Sequence, residues 1–235
     1  MTFQLADVVP WGRALSEYAA MFRLSEQDLL KPILGCGDGP ASFNAEASRL
    51  GCRVVSSDPI YKFSVQELQR RIDETADVIA EQLKHSTDEF VWRHFPNPEA
   101  LIEARMSAMH AFLVDYPVGL REGRYVEGSL PGLPFKDKEF DLALCSHFLF
   151  LYSGQRDFEF HLDGISELCR VAREVRIFPL LELGAVPSRH LDAVLSSLEG
   201  RGHLAEVVEV DYELQKGGNE MLRIVPSNGR AQQMR

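Results

Sequence analysis

The chain has 235 residues, of which 45% are hydrophobic, enough apolar material for one α/β core of substantial size. Its 25 Lys plus Arg stand against 35 Asp plus Glu, a net charge of −10, and Arg70-Arg71 is the longest basic cluster, so the phosphate-neutralising face of a nucleic-acid-binding protein is not expected. No apolar run approaches the roughly 18 residues of a membrane span, and Met1-Thr2-Phe3-Gln4-Leu5 lacks the basic region and apolar core of a signal peptide, which leads us to expect a cytoplasmic protein with a small-molecule partner and no membrane partner.

A helix is expected over residues 13–24, and Ser25-Glu26-Gln27-Asp28 reads as a capping box that opens a short second one. The first strand, 32–34, runs into Gly35-Cys36-Gly37-Asp38-Gly39. Three glycines at alternate positions, where a strand turns into a helix, let the backbone approach a ligand with no Cβ in the way. The helix that follows is expected over 40–50, with Pro40 suited to its first turn. A second strand covers 53–57 and ends at Asp58, nineteen positions past Gly39, where a carboxylate can accept hydrogen bonds from a ribose. These features together read as a nucleoside site. A dinucleotide fold wants G-x-G-x-x-G so that a pyrophosphate meets the helix N-terminus, whereas here the rhythm is G-x-G-x-G and Pro40 stands where the last Gly or Ala belongs.

Beyond Asp58 the alternation stops. From Ser64 to about Phe112 there is no good strand; Ser64-x-x-Glu67 is a capping signature, and Val65, Leu68, Ile72, Ile79 and Leu83 keep helical spacing. Asn97-Pro98-Glu99 starts another helix, with Asn at the cap and Pro in the first turn. A helical insertion at 64–120 is therefore expected between the second and third strands of a single domain covering 1–235. Insertions that leave the carboxyl edge of an open α/β sheet lie over the ligand crevice, which makes this one a candidate lid. The rings of Phe90-Val91-Trp92-Arg93-His94-Phe95, between its two helices, are expected chiefly to glue it to the sheet domain. Tyr61, three residues past Asp58, is expected to border the pocket.

Alternation resumes with strands at 124–127 and 142–145, a helix at 158–171, a strand at 174–178 and a helix at 188–198. The near-continuous apolar run from Ile177 to Leu181 fits a parallel strand covered on both faces. The chain then reads as a β-rich run at 207–214, the turn Lys216-Gly217-Gly218-Asn219 and a second run at 221–225, an antiparallel hairpin.

Val126-Glu127-Gly128-Ser129-Leu130-Pro131-Gly132-Leu133-Pro134-Phe135, followed by Phe140-Asp141-Leu142-Ala143, resembles the G-D-x-x-x-L-P-F and F-D-x-V patterns of class I S-adenosylmethionine-dependent methyltransferases, whose first motif is a strand running into G-x-G-x-G. With G-D-G-P-x-S-F-N-A-E, D-P-I-Y and C-S-H-x-L-F-L-Y, the chain is similar to an uncharacterised bacterial-type group of these enzymes over about four-fifths of its length. The resemblance implies a Rossmann-like, doubly wound seven-stranded sheet with a terminal antiparallel hairpin, S-adenosylmethionine as cofactor, and methyl transfer to a small-molecule acceptor. Carried over residue by residue, the cofactor contacts are Gly35, Cys36, Gly37, Gly39, Asp58, Pro59, Ser129, Leu130 and Ser146. Two positions depart from the family. Ile33 replaces the acid that grips the methionine ammonium, and Ser129 replaces the Asp that contacts the adenine amino group. These departures motivate an alternative, a non-catalytic S-adenosylmethionine-binding sensor or accessory subunit. A dehydrogenase or aminopropyl transferase is disfavoured by the motif rhythm and the terminal hairpin.

In this fold the end of the fourth strand lies beside the transferable methyl, which makes His147 the leading catalytic candidate, with Tyr61 beside it. Methyl transfer is an in-line displacement, so alignment supplies most of the rate; a base matters only where the acceptor must lose a proton, and His147 reads equally as base or as orienting group. His85, His94, His110, His161, His190 and His203 share no metal spacing and are expected on surfaces or helices, so no metal is expected. Cys36, Cys52, Cys145 and Cys169 form no C-x-x-C pair and read as reduced, small apolar residues.

Overall fold

The computed structural model describes residues 11–85 and 87–227. The first five residues and the side chains of Ile79 and His85, which figured in the sequence expectations, lie outside what it describes. In chain order, α1 (Leu15–Met21) and α2 (Glu26–Leu29) precede β1 (Pro32–Cys36), α3 (Phe43–Arg49) and β2 (Arg53–Ser57). Two long helices, α4 (Val65–His85) and α5 (Pro98–Arg121), intervene before β3 (Tyr125–Val126). Then come β4 (Phe140–Ser146), α6 (Phe158–Val171), β5 (Ala172–Phe178), β6 (Leu181–Glu182), β7 (Val186–Pro187), α7 (Leu191–Gly200), β8 (Leu204–Glu209) and β9 (Glu220–Val225).

Seven strands form one sheet in the order β3-β2-β1-β4-β5-β9-β8. The first five are parallel, β9 runs antiparallel to β5, and β8 antiparallel to β9. This is the Rossmann-like, doubly wound sheet with a terminal antiparallel pair. Residues of β1 and β4 are buried almost without interruption because helices cover both faces, the reason these segments read as apolar runs rather than as alternation. Strand order reverses between β1 and β4, and ligands of open α/β sheets bind outside the carboxyl ends of the strands at such a switch point. The register sets Cys36 level with both Ser57 and Cys145, so the segments after β1, β2 and β4 emerge side by side.

The caps that the sequence announced are formed. Ser25 Oγ accepts from Asp28 N, Ser64 Oγ from Glu67 N, and Asn97 Oδ1 from Ala100 N. Pro40 is different: α3 starts only after Ser42, so the proline belongs to the loop rather than to the first helical turn. The terminal pair is also joined differently. The strand expected to reach 214 stops at Glu209, because Val210, Tyr212 and Leu214 bury themselves in the core, where Val91 N donates to Leu214 O. A long connection at 210–219 therefore replaces a tight turn.

The inserted helices pack onto the sheet edge through a ring cluster of Tyr61, Phe112, Tyr116 and Tyr125, with centroids 5.0 to 6.0 Å apart. Leu68 and Ile72 of α4 join the same cluster. The segment between the helices is tied to the long connection, with Phe90 bridging Gln215 and His94 stacked on Tyr212 at 5.0 Å. All four cysteines are free. Among the described residues no helix is long and apolar enough to cross a membrane.

Candidate functional site

A cavity of about 660 Å³ opens at the carboxyl edge of the sheet, where the loops after β1, β2 and β4 meet. Its floor is the glycine turn. Gly37 and Gly39 adopt left-handed φ of +71° and +56°, conformations that a side chain would strain. A Cβ on Gly39 would meet nothing within 4 Å, so the turn presents bare backbone to open space. Asp58 braces it from β2: Oδ2 accepts from Gly39 N at 2.9 Å and Oδ1 from Ile60 N at 2.9 Å. Cys36, Gly37, Gly39, Asp58 and Pro59 all line the cavity. Ser129 and Leu130 line the facing wall, and Ser146 and His147 the end of β4. Burial lifts the Asp58 carboxyl to about 6 against the two backbone bonds that favour its charge.

Gly35 has another purpose than the sequence suggested. It does not line the cavity; a Cβ there would sit 1.8 Å from Asp38 Oδ2. The missing side chain leaves room for a carboxylate, not for a ligand. Asp38, only 7% exposed, receives the Tyr18 hydroxyl on Oδ1 at 2.7 Å and the Ser56 hydroxyl on Oδ2 at 2.6 Å, and lines the cavity. Burial raises its carboxyl to about 7 despite both bonds. Sequence reasoning passed over Asp38 as the variable position of a glycine motif, although an acid inside such a motif was a visible signal.

His147 does reach the cavity. It has φ +52°, uncommon for a residue with a side chain, and its N–H donates to Phe178 O at 2.6 Å where the β4–β5 ladder ends. Nδ1 lies 2.9 Å from Ser146 Oγ. Burial, with the guanidiniums of Arg13 and Arg105 adding to it, holds the imidazole well below the ordinary histidine range, so it is neutral at physiological pH. Tyr61 requires a correction. Expected beside the reacting centre, it is 4% exposed in the ring cluster, does not line the cavity, and donates its hydroxyl to Gly39 O at 2.8 Å. Its apolar neighbours on α5 draw the ring away, and it buttresses the glycine turn from behind. His161 lies on a helix, α6, as expected, and is fully buried there, with Nδ1 2.7 Å from Asp157 O and Nε2 3.1 Å from Leu149 O.

The N-terminal segment supplies groups that no motif signalled. Arg13 lines the cavity before α1, and Glu17 and Tyr18 follow one helical turn later. Arg105 of α5 is fully buried and donates to Glu17 Oε2 and to the Tyr212 hydroxyl. α4 contributes Leu68, Arg71, Ile72, Glu74 and Thr75 to the outer wall, whereas the rings at 90–95 do not reach it.

Fold and cavity together define an α/β protein of the Rossmann-like, doubly wound type with a cavity at its switch point. The chain is 34% identical, over 221 residues, to the uncharacterised protein MJ0045 of Methanocaldococcus jannaschii, spanning 94% of this chain and 97% of that one, and it belongs to that protein's family. No protein-family model matches it. Among solved structures it is similar to magnesium protoporphyrin IX methyltransferase from Synechocystis with bound S-adenosylmethionine, at 13% identity and a TM-score of 0.47, covering 91% of this chain and 78% of that one. It is also similar to a putative S-adenosylmethionine-dependent methyltransferase from Methanococcus maripaludis, at 10% identity and a TM-score of 0.43, covering 92% and 85%.

Proposed function

We propose that this protein is a methyltransferase that uses S-adenosylmethionine to methylate a small-molecule acceptor. The observation that carries the reading is the meeting, in one cavity at the switch point, of the bare Gly37–Gly39 backbone, the Asp58 carboxylate at the end of β2 and His147 at the end of β4. The residues present suit the cofactor. Each Asp58 oxygen takes one backbone N–H and keeps a lone pair for a ribose hydroxyl. The open space over Gly39 admits a nucleoside against the backbone. When bound, S-adenosylmethionine supplies a methyl group on a sulfonium, activated for displacement.

The remaining work belongs to the chain. Asp38, on the cavity wall, offers the ammonium end of the cofactor a carboxylate in place of the one absent at Ile33, which lies in the core. Ser129 offers the adenine edge a hydroxyl acceptor. His147, neutral and hydrogen-bonded to Ser146, is equipped to orient an acceptor or to take its proton. α4 and α5 act as a lid, with α4 forming part of the cavity wall and α5 packed behind it. Titration calorimetry with S-adenosylmethionine, its demethylated product and NAD tests the assignment. Binding of the first two and not of the third is expected. Binding of NAD alone, or of none, overturns it. The sensor alternative, motivated by Ile33 and Ser129, would bind both cofactor forms yet transfer no methyl to any compound of an acceptor library.

A further inference from the structure

Arg13 is half-buried and lines the cavity, and its buried Nε lacks a partner. Among the described residues its one hydrogen bond runs from Nη1 to Trp11 O at 3.0 Å, and its Nε is buried with no acceptor at all. Glu17, whose charge reaches it, is occupied elsewhere: its carboxylate receives Arg105 Nη1, the Tyr212 hydroxyl at 2.7 Å and Ala14 N at 3.2 Å. Two guanidiniums thus draw on the one Glu17 carboxylate, and the Arg13 charge bears on His147. Burial, then the repulsion of Arg105, pulls the Arg13 guanidinium down to about 10, the mark of a cation short of counter-charge. A buried unpaired ion is costly, whereas charge-assisted bonds to an anion are strong.

We propose that the acceptor is a carboxylic acid whose carboxylate is seated on the free Nε edge of Arg13, inside the same cavity. This rests on the methyltransferase reading and adds the class of its substrate. The fork geometry fits, because Nη1 is already turned to Trp11 and the unoccupied edge of a guanidinium takes a carboxylate in two parallel bonds. The position also fits: the Arg13 charge bears on His147, at the acceptor end of the cavity, and not on Asp38 or Asp58, the groups assigned to the cofactor.

The test titrates acetate, benzoate and 3-phenylpropionate, each beside its amide, into the full chain, both empty and saturated with S-adenosylhomocysteine. The unaltered protein should bind at least one of the acids ten times or more tighter than the corresponding amide. Arg13→Gln should abolish that preference while changing S-adenosylhomocysteine affinity less than twofold, and Arg13→Lys, which keeps the charge but not the fork, should retain part of it. The proposal is overturned if none of the three acids is preferred, or if the preference survives Arg13→Gln. It is equally overturned if Arg13→Gln weakens S-adenosylhomocysteine tenfold but leaves 5′-methylthioadenosine unaffected, since that assigns Arg13 to the cofactor's own carboxylate. A protein that ignores S-adenosylhomocysteine yet prefers the acids when empty would sink the methyltransferase reading and leave the carboxylate seat standing.

Discussion

Gly35→Ala separates a glycine kept for a ligand from one kept for a neighbour. Gly35 lies in β1 without a left-handed φ, so an ordinary strand position would accept Ala and gain about 0.5 kcal/mol from a stiffer unfolded chain. Here the new Cβ would lie 1.8 Å from Asp38 Oδ2 and 2.5 Å from its Cγ, so the carboxylate must leave. Its departure breaks the bonds from Tyr18 and Ser56, each worth about 1 kcal/mol net, and strands two buried hydroxyls. The sum is a loss of about 3 kcal/mol, which for a chain of this size lowers Tm by roughly 6–12 °C. Denaturant unfolding followed by circular dichroism reads it directly. Adding Asp38→Ala removes the colliding group, so the double variant should be more stable than the sum of the single losses by about 2 kcal/mol. A Gly35→Ala protein as stable as the parent, impaired only in ligand binding, would refute the reasoning and return Gly35 to the ligand.

Asp58→Ala should weaken S-adenosylmethionine binding by about 2 kcal/mol, measured by calorimetry, and also lower Tm because Gly39 N and Ile60 N lose their acceptor; unchanged affinity removes Asp58 from the site. With its carboxyl near 7 in the empty protein, Asp38 should be ionised by an incoming ammonium, so cofactor binding releases a proton and affinity falls as pH drops from 8 to 6. Calorimetry in buffers of different ionisation enthalpy checks this, and Asp38→Asn should abolish the dependence. For folding the sign is opposite: because the folded carboxyl binds its proton more tightly than the unfolded one, this stabilisation is complete below about pH 4 and lost as pH rises through about 7, so Asp38→Asn should flatten the decline of Tm over that window. Once an acceptor is known, His147→Ala should cost roughly a hundredfold in kcat if the imidazole is the base, whereas a merely orienting role allows His147→Asn, which tolerates the left-handed backbone, to restore part of the rate. Since the imidazole is held neutral, kcat of the parent enzyme should stay level between pH 6 and 8 rather than break at the usual histidine value. Amide hydrogen exchange in α4 and α5 should slow when cofactor and acceptor are both present; equal protection in the empty protein makes them a fixed layer.

Local chemistry made much of this molecule legible from its residues alone. A glycine turn, a strand-ending acid and apolar runs of the right length are determined by backbone sterics and by burial on both sheet faces, which neighbours along the chain suffice to announce. Hence β2 and α6 fall where their residue patterns place them, and the Ser25, Ser64 and Asn97 caps bond as their side chains dictate. What the sequence could not contain was the partner of each buried polar group. Asp38 meets Tyr18 from twenty positions earlier, Arg105 meets Glu17 across eighty-eight, and Tyr61 is claimed by Phe112 and Tyr116 of a helix that begins far beyond it. A carboxylate or a guanidinium must be paired or shifted once water is removed, and which of these happens depends on what the tertiary fold brings within bonding distance. So the place of the site follows from short-range pattern, whereas its charge, the neutral His147 and the unmatched Arg13, exists only after the distant segments have closed around it.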